Sequence, residues 1–381
     1  MININDETSS SYFSLQSKFQ PLKNWNLNHI NSVSLNDELN KTNVSQGKKE
    51  SELITEMLSM PDLQLIVTGN QIGIIKFWNY DEFTLEHLID EPICFGKVKT
   101  LCYMFDKKNL FAGGGDSTLI LINLVDGESK WKVEKFASYS ITPAISLEGK
   151  NLKESNESND QLKGSISKIC SALDYQHIFY NIGPKIACFD NYNKKLTNIF
   201  EYQKQDINSM VYIEKLHLLV YSTNKTINYI DPYNNNIKYS LNINNSLFNL
   251  TACSGKQFSN MICGTRDNEI IFYSLSIPSS MSFNQNNLSI NSIPSNNCFE
   301  IVKYKIYKYK SNIVKVSYCY DDKTILIALQ EGIFFLQNID VEENKKKGSA
   351  FKNPFSNGCY FGDGHTLAMS SEDGNVDVFS C

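Results

Sequence analysis

One pattern recurs seven times along the 381-residue chain, and it constrains the fold more than any other feature. Each copy contains a run rich in β-branched and aromatic residues, a short turn rich in Gly, Asp or Asn, and a second run that ends on a large apolar residue. Paired runs of this kind, separated by turn residues, predict β-hairpins. The copies span residues 63–79, 109–123, 177–190, 216–231, 260–274, 323–337 and 365–380.

The spacing of the copies indicates a repeat architecture. Four of the six intervals between the terminal apolar residues lie within 41–44 residues; these residues are Trp78, Ile122, Phe189, Ile230, Tyr273, Leu336 and Phe379. Another short run precedes each hairpin, and several hairpins are followed by a fourth run. Four short strands per unit at a period of about 40–45 residues is typical of a propeller blade. We therefore predict an all-β fold, a single seven-bladed β-propeller, because each blade needs two neighbours to bury both faces of its sheet.

The repeats resemble those of the WD40 family. Residues 67–79 match the family's repeat ending, with Gly69 before the turn, Gly73 after it and Trp78-Asn79 in the place of the Trp-Asp pair. Other positions match the acidic member of that pair or the Asp- and Gly-containing turns; these are Phe189-Asp190, Ile230-Asp231, residues 113–116, Arg266-Asp267 and Asp373-Gly374. The resemblance covers roughly residues 50–381. It implies a WD40-type propeller that binds other proteins and is not an enzyme.

The repeats also depart from the family pattern. No repeat carries the Gly-His pair and most lack Trp, so the family's hydrogen-bond network of His, Ser, Asp and Trp is not expected. The paired-arginine FRRG motif of phosphoinositide-binding relatives is absent. Substrate receptors of cullin ligases carry an arginine two residues after the Trp-Asp pair, but Asp81, Tyr192 and Tyr233 stand at the matching positions. The resemblance therefore implies neither specialised activity.

The end of the chain predicts how the ring closes. Residues 379–381 finish the third strand of the last unit, and no residues follow to form a fourth. Because an open sheet edge promotes aggregation, another segment is expected to cover it. We predict that residues 19–30, with Trp25 and Leu27 alternating, supply this strand as in WD40 propellers. Residues 1–15 are then a flexible tail, and residues 16–381 form the propeller, with insertions at 138–164 and 277–299.

Composition limits the partners and the compartment. A net charge of −5 and a pI near 5.7 argue against nucleic acid as the default partner. The N-terminal residues lack the basic and apolar regions of a signal peptide, and no apolar run is long enough to span a membrane. Ten cysteines without a C-x-x-C spacing indicate free thiols in a reducing compartment. We expect a monomeric propeller in the cytoplasm, the nucleus or both.

The sequence motifs that could form a phosphate-binding, metal-binding or catalytic site favour a structural interpretation. The triple glycine at 113–115 is followed by the strand-like run at 117–123, whereas a phosphate loop needs a helix there. None of the five histidines, at positions 29, 87, 177, 217 and 365, has a second ligand at metal-binding spacing. No nucleophile motif lies on a suitable turn. The sequence therefore predicts no catalytic residue, no metal and no cofactor.

One charged run keeps an alternative function open. Residues 303–310 alternate Lys with Tyr or Ile, a pattern that can bind single-stranded nucleic acid or another anionic partner through stacking and phosphate contacts. We place this run on the outer strand of a blade. Lysines on an exposed strand also prevent edge-to-edge aggregation, and we favour that role.

The expected function is that of a scaffold, a subunit or adaptor that binds one or more proteins or peptides in a larger assembly. Candidate protein-binding residues lie on the turns between the second and third strands of each unit: Asn70, Gln71, Asp116, Lys185, Asn224, Lys225, Arg266, Gln330 and Glu372. Arg266 is the first choice, because it is the only arginine in the chain and arginine is enriched among binding anchors. An enzyme with its site at the mouth of the propeller channel is the remaining alternative, but the sequence shows no convergent titratable residues there.

Overall fold

The computed structural model of the chain describes most of the repeat region. The described residues are 28–34, 53–79, 82, 84–89, 91–93, 96–126, 131–140, 164–173, 176–201, 205–233, 236–243, 247–254, 259–265, 268–276, 300–318, 324–338, 345–347, 355–360, 366–371 and 375–380. The predicted tail at 1–15 and the insertion at 277–299 lie outside these residues.

Within the described residues, the strands form seven four-stranded antiparallel sheets, which we number 1 to 7 along the chain. The first four sheets contain β2 (Ile54–Met60), β3 (Leu65–Asn70), β4 (Ile75–Asn79) and β5 (Leu85–Ile89); β6 (Thr100–Met104), β7 (Asn109–Gly113), β8 (Thr118–Asp126) and β9 (Trp131–Ser140); β10 (Ile169–Ala172), β11 (His177–Ile182), β12 (Lys185–Asp190) and β13 (Lys195–Glu201); and β14 (Ser209–Ile213), β15 (Leu218–Ser222), β16 (Thr226–Asp231) and β17 (Asn236–Asn242).

The remaining sheets follow the same order, except that the last includes the N-terminal strand. They contain β18 (Leu247–Ser254), β19 (Ser259–Thr265), β20 (Glu269–Ser276) and β21 (Glu300–Lys308); β22 (Ile313–Tyr318), β23 (Thr324–Leu329), β24 (Ile333–Asn338) and β25 (Lys345–Lys347); and β26 (Phe355–Tyr360), β27 (Thr366–Ser371), β28 (Asn375–Ser380) and β1 (Asn28–Ser34). Short 3-10 helices at Pro61–Leu63, Phe105–Lys107 and Glu214–Leu216 join the first and second strands of sheets 1, 2 and 4.

The second and third strands are apolar on both faces because each sheet is covered on both sides. All six residues of β3 are buried, as are all but the last residue of β4. Among the described residues, six of the seven interfaces between neighbouring sheets hold a cluster of buried apolar residues from both sheets. Examples, one residue from each sheet, are Phe77 and Leu110, Phe111 and Tyr180, Phe179 and Tyr221, Tyr229 and Leu250, Phe272 and Ile327, and Val378 and Trp78. The core therefore lies between the sheets.

The first strands of the sheets surround a common axis. Each contacts the first strand of the next sheet, and β26 of sheet 7 contacts β2 of sheet 1. At that junction the Asn357 amide donates a hydrogen bond of 3.2 Å to the carbonyl oxygen of Thr55. Radially arranged sheets whose first strands line a central channel define a β-propeller. The all-β propeller fold expected from the repeats is confirmed.

The N-terminal strand covers the edge that the C-terminal strand leaves exposed. Strand β1 pairs antiparallel with β28, from Asn28 opposite Ser380 to Ser34 opposite Asn375, with an irregularity after His29. The chain thus supplies the missing outer strand from its N-terminal part, as expected. However, the strand spans Asn28–Ser34, later than the predicted 19–30, and Trp25 and Leu27 lie outside the described residues.

The antiparallel strands place the connections on two rims. The upper rim carries the turns between second and third strands and the segments that lead into the first strands. The lower rim carries the turns between first and second strands and between third and fourth strands. The predicted insertion between sheets 2 and 3 starts on the upper rim. It is shorter than 138–164, because β9 continues to pair with β8 as far as Ser140, opposite Thr118.

Candidate functional site

The upper rim holds the candidate residues that are described, and several of them face solvent. Asn224 and Lys225 are exposed on the turn between β15 and β16, and Gln330 is exposed between β23 and β24. Gln71, Asp116 and Lys185 are half-buried on their turns. Arg266 and Glu372 lie outside the described residues, so their roles stay predictions.

Two equivalent pairs of amides order side chains on this rim. The Asn208 amide, just before β14, donates to Asn224 Oδ1 at 3.0 Å. The Asn312 amide, just before β22, donates to Gln330 Oε1 at 2.9 Å. Both pairs are exposed, and each joins a turn to the segment that leads into the first strand of its own sheet. The turns of sheets 4 and 6 therefore present ordered amide donors and acceptors to solvent.

Asn70 has a structural position instead of an exposed one. Its side chain is only 5% exposed, and its Oδ1 accepts hydrogen bonds from the backbone N–H groups of Ile72 at 3.1 Å and Ile74 at 2.9 Å. An Asn side chain that satisfies its own turn in this way is a common turn device. Asn70 therefore shapes the rim but does not offer its side chain to a partner.

Three charged side chains converge below the upper rim, in the channel. Glu56 of β2 and Lys315 of β22 form an ion pair of 3.3 Å, although sheet 7 lies between their sheets in the ring. Lys168, just before β10, lies close enough to both for their charges to act on it. The expectation that no titratable residues converge near the axis was therefore wrong. The group contains one carboxylate and two ammonium groups.

Burial shifts the pKa of Lys168 and of a thiol near the three charges. Desolvation lowers the pKa of Lys168, the Glu56 carboxylate raises it, and the Lys315 ammonium lowers it further. Desolvation also raises the pKa of the neighbouring Cys359 thiol to about 12. That thiol is protonated at neutral pH, and the thiolate is the nucleophilic form. The channel thus has a fixed charge pair and an additional cation, but no activated nucleophile at Cys359.

A signal for the channel charges is present in the repeats. Glu56 lies opposite Gly69, and Lys315 lies opposite Ala328. Gly69 and Ala328 are each the fifth residue of the second strand of their sheet, β3 and β23. The carbonyl of Lys168 accepts a 3.2 Å hydrogen bond from the N–H of Asn181, the fifth residue of β11. The three charges therefore occupy one level of the ring. If the repeats are aligned on their second strands, a charged residue stands at the same position in or just before the first strand of three repeats.

Histidines and cysteines of the described residues do not form a metal site. No group of three His, Cys, Asp or Glu side chains could hold a metal ion in the part of the chain that the structure describes. His177 lies against Tyr233, with 3.3 Å between Nδ1 and the hydroxyl, and burial lowers its pKa. Burial also raises the pKa of Cys102 and Cys188 to about 11.

The Lys- and Tyr-containing run lies on the outer strand of sheet 5, as expected, where β21 pairs with β20. Tyr307 packs edge-on against Phe272 with centroids 5.5 Å apart, and Tyr309 packs against Phe335 at 5.6 Å. These rings are half-buried in the sheet interfaces. Stacking on nucleotide bases requires open ring faces, so the described tyrosines do not favour the nucleic-acid alternative.

Comparison with known proteins gives the class of fold. No protein-family model matches the sequence, and no curated protein matches it. Among solved structures, the chain is similar to the β-propeller domain of Cps50 (Swd1) from Myceliophteria thermophila, with a TM-score of 0.68 and 11% sequence identity over 93% of this chain and 100% of that domain. The chain thus has the fold that its resemblance to WD40 repeats implies. No helix among the described residues is long and apolar enough to cross a membrane.

Proposed function

We propose that the chain is a non-catalytic protein-interaction scaffold, a seven-bladed WD40-type ring that acts as a subunit or adaptor in a multiprotein complex. The observation that carries the proposal is the pair of exposed amide contacts on the upper rim, Asn208 with Asn224 and Asn312 with Gln330. They fix polar side chains at two places on one face of a rigid ring.

The chemistry of this rim suits a peptide segment. A peptide backbone carries alternating N–H donors and carbonyl acceptors, and a side-chain amide offers both kinds of group. Because the rim amides are already ordered, they lose less conformational entropy when a partner binds them. The exposed Lys225 beside Asn224 adds a charge that would favour an acidic residue in the segment.

The alternatives have weaker support. An enzyme would need a nucleophile or a general base at the channel mouth, but Glu56 is paired with Lys315 and the thiol of Cys359 has a raised pKa. Nucleic-acid binding at 303–310 would need tyrosine rings that are open to solvent. We further propose that the protein works as a single copy in the cytoplasm or nucleus, since free thiols suit a reducing compartment.

Purification from native cells tests the proposal. The full chain carries a small affinity tag and is expressed at its natural level, and its partners are quantified by mass spectrometry after gentle lysis. A rim variant combines Asn224→Ala, Lys225→Glu and Gln330→Ala. Lys132→Glu, an exposed position on outer strand β9, is the matched surface control.

We expect a stoichiometric protein partner with the wild-type chain and the control, and its loss with the rim variant. The far-ultraviolet circular dichroism of the rim variant should match the wild type, because all three residues are exposed. Recovery of the wild-type chain alone would contradict the scaffold proposal, and a partner retained by the rim variant would contradict the choice of rim.

A further inference from the structure

The turn between β12 and β13, on the lower rim, presents an aromatic ring to solvent. Tyr192 is 78% exposed, although the backbone beneath it is fixed. Asp190 Oδ1 accepts hydrogen bonds from the N–H groups of Tyr192 at 2.8 Å and Asn193 at 2.9 Å, and Oδ2 accepts one of 2.6 Å from the Asn193 amide. A rigid turn therefore holds a large apolar ring in water.

The matching turn of sheet 4 shows what this position does when it serves the fold. Tyr233 also follows an Asp by two residues, and its N–H donates to Asp231 Oδ1 at 3.0 Å. Its ring, however, packs across the interface with sheet 3, with centroids 5.6 Å from His177 and 6.3 Å from Phe179. The same local motif thus packs one tyrosine into a sheet interface and exposes the other.

The residue between the Asp and the Tyr explains the difference. In sheet 3 this residue is Asn191, whose 2% exposed amide lies 2.9 Å from the amide of Asn109 at the start of β7. In sheet 4 it is Pro232, which has no polar side chain, and Tyr233 contacts His177 at the start of β11. Asn191 therefore occupies the place that Tyr233 fills one sheet further on, and packing does not require the ring of Tyr192.

Lysines lie on the turn of Tyr192 and on the adjacent turn of sheet 2. Lys195, at the start of β13, and Lys107, on the 3-10 helix between β6 and β7, are exposed. The Lys194 ammonium donates a hydrogen bond of 2.6 Å to Asn191 Oδ1. Burial and the charge of Lys107 lower the pKa of Lys194, and the carboxylate of Asp190 opposes this only in part. Phe105, 40% exposed, begins the 3-10 helix that carries Lys107.

The two acidic groups of these turns are already engaged. Asp190 binds its own turn, and Asp106 accepts a hydrogen bond from the Gln176 amide. The surface therefore holds two aromatic rings and three lysines beside two hydrogen-bonded carboxylates, a small excess of positive charge on a protein whose net charge is −5. Opposite charges across an interface steer association, and exposed aromatic rings held rigidly are the side chains that most often anchor a partner.

We propose that Phe105, Lys107, Tyr192, Lys194 and Lys195 form a second docking surface, the lower-rim surface of sheets 2 and 3, for an acidic, extended segment of a partner protein. An apolar side chain of that segment packs against Tyr192 and Phe105, and its carboxylates face the lysines. This surface is on the opposite face from the rim of the proposed function and does not depend on it.

Fluorescence anisotropy with the purified full chain tests the proposal. The probe is a short fluorescein-labelled peptide of Asp and Glu with a central Phe-Leu pair, and a Lys-based peptide of the same length controls for charge. The variants are Tyr192→Ala and the double change Lys107→Glu with Lys195→Glu. Lys97→Glu reverses an exposed charge on the upper rim, in the segment that leads into β6, and Tyr233→Ala removes the packed tyrosine of the matching turn.

We expect the acidic probe to bind the wild-type chain and Lys97→Glu within twofold of each other. Tyr192→Ala should weaken binding at least tenfold with an unchanged urea midpoint, and charge reversal should weaken it at least as much. Tyr233→Ala should instead lower the urea midpoint and leave binding unchanged.

Three results would overturn the proposal. The wild-type chain could fail to bind the acidic probe, or both surface variants could bind within twofold of it. A labelled oligouridine could also compete fully with the probe and be lost with the same substitutions, which would assign the surface to nucleic acid. None of these results depends on whether a native complex is recovered through the upper rim.

Discussion

Replacing Gly113 with alanine tests the close approach of consecutive sheets. Gly113 ends β7, and a Cβ at this position would lie 2.3 Å from Cγ2 and 2.7 Å from Cβ of Ile166, in the segment that leads into sheet 3. Ile166 is fully buried, so it cannot move into solvent. Overpacking of this kind costs about 1–3 kcal/mol. We expect Gly113→Ala to lower the free energy of unfolding by that amount.

A double-mutant cycle identifies the contact responsible. Ile166→Ala alone leaves a cavity and should cost about 2–5 kcal/mol. In the double variant the new methyl group of residue 113 enters that cavity, so the combined cost should be smaller than the sum by about 0.5–3 kcal/mol. Gly264→Ala is the control: it lies near the end of β19, where the nearest atom, the carbonyl oxygen of Phe248, is 3.2 Å from the added Cβ. It should cost less than Gly113→Ala.

Urea denaturation followed by circular dichroism and tryptophan fluorescence measures these costs. The reasoning would be refuted if Gly113→Ala changed stability by less than about 0.5 kcal/mol, the range of ordinary surface substitutions. Strict additivity with Ile166→Ala would also refute it, because the two side chains would then not share the same space.

The remaining predictions concern ionisation and ring closure. Lys168 should titrate below its usual pKa of 10.5 in side-chain NMR, and Glu56→Gln should lower that pKa further, because the carboxylate raises it. Between the folded pKa and 10.5 the unfolded state binds more protons, so the contribution of Lys168 to stability rises with pH; a titration at or above 10.5 would contradict this. The Cys359 thiol, with its pKa near 12, should react with iodoacetamide at pH 8 only after denaturation, and rapid labelling of the native chain would show that the site is open. Deletion of residues 1–34 removes β1 and should cause concentration-dependent aggregation through the exposed β28, whereas a stable monomer would show that the edge needs no cover.

Much of the fold could be predicted because most strands have a recognisable local sequence pattern. The apolar runs flanked by Gly, Asp and Asn place the second and third strands, and the Lys- and Tyr-containing run was correctly placed as outer strand β21. The N-terminal strand was expected to begin nine residues too early and to end four residues too early, since Trp25 and Leu27 alternate more clearly than the segment that pairs with β28. The irregularity after His29 disrupts the alternation there.

The site was harder to predict because exposure depends on the neighbouring sheet. Asn is a residue type that is common in solvent-exposed turns, but the side chain of Asn70 accepts hydrogen bonds from the backbone N–H groups of Ile72 and Ile74. Glu56 and Lys315 are far apart in the sequence and meet only because the ring closes. Tyr192 and Tyr233 each follow an Asp by two residues, and the residue between the Asp and the Tyr, Asn191 or Pro232, decides whether the tyrosine ring packs in the sheet interface.

Cryo-electron microscopy of the full chain tests the central claim most directly. A rigid binder is added to increase the size of the particle. The account predicts one ring in which seven four-stranded sheets surround a channel, residues 28–34 complete the sheet formed by β26 to β28, and Glu56 of sheet 1 reaches Lys315 of sheet 6 past the first strand of sheet 7. A ring with another number of sheets, an open arc, or a Glu56 side chain remote from Lys315 would contradict it.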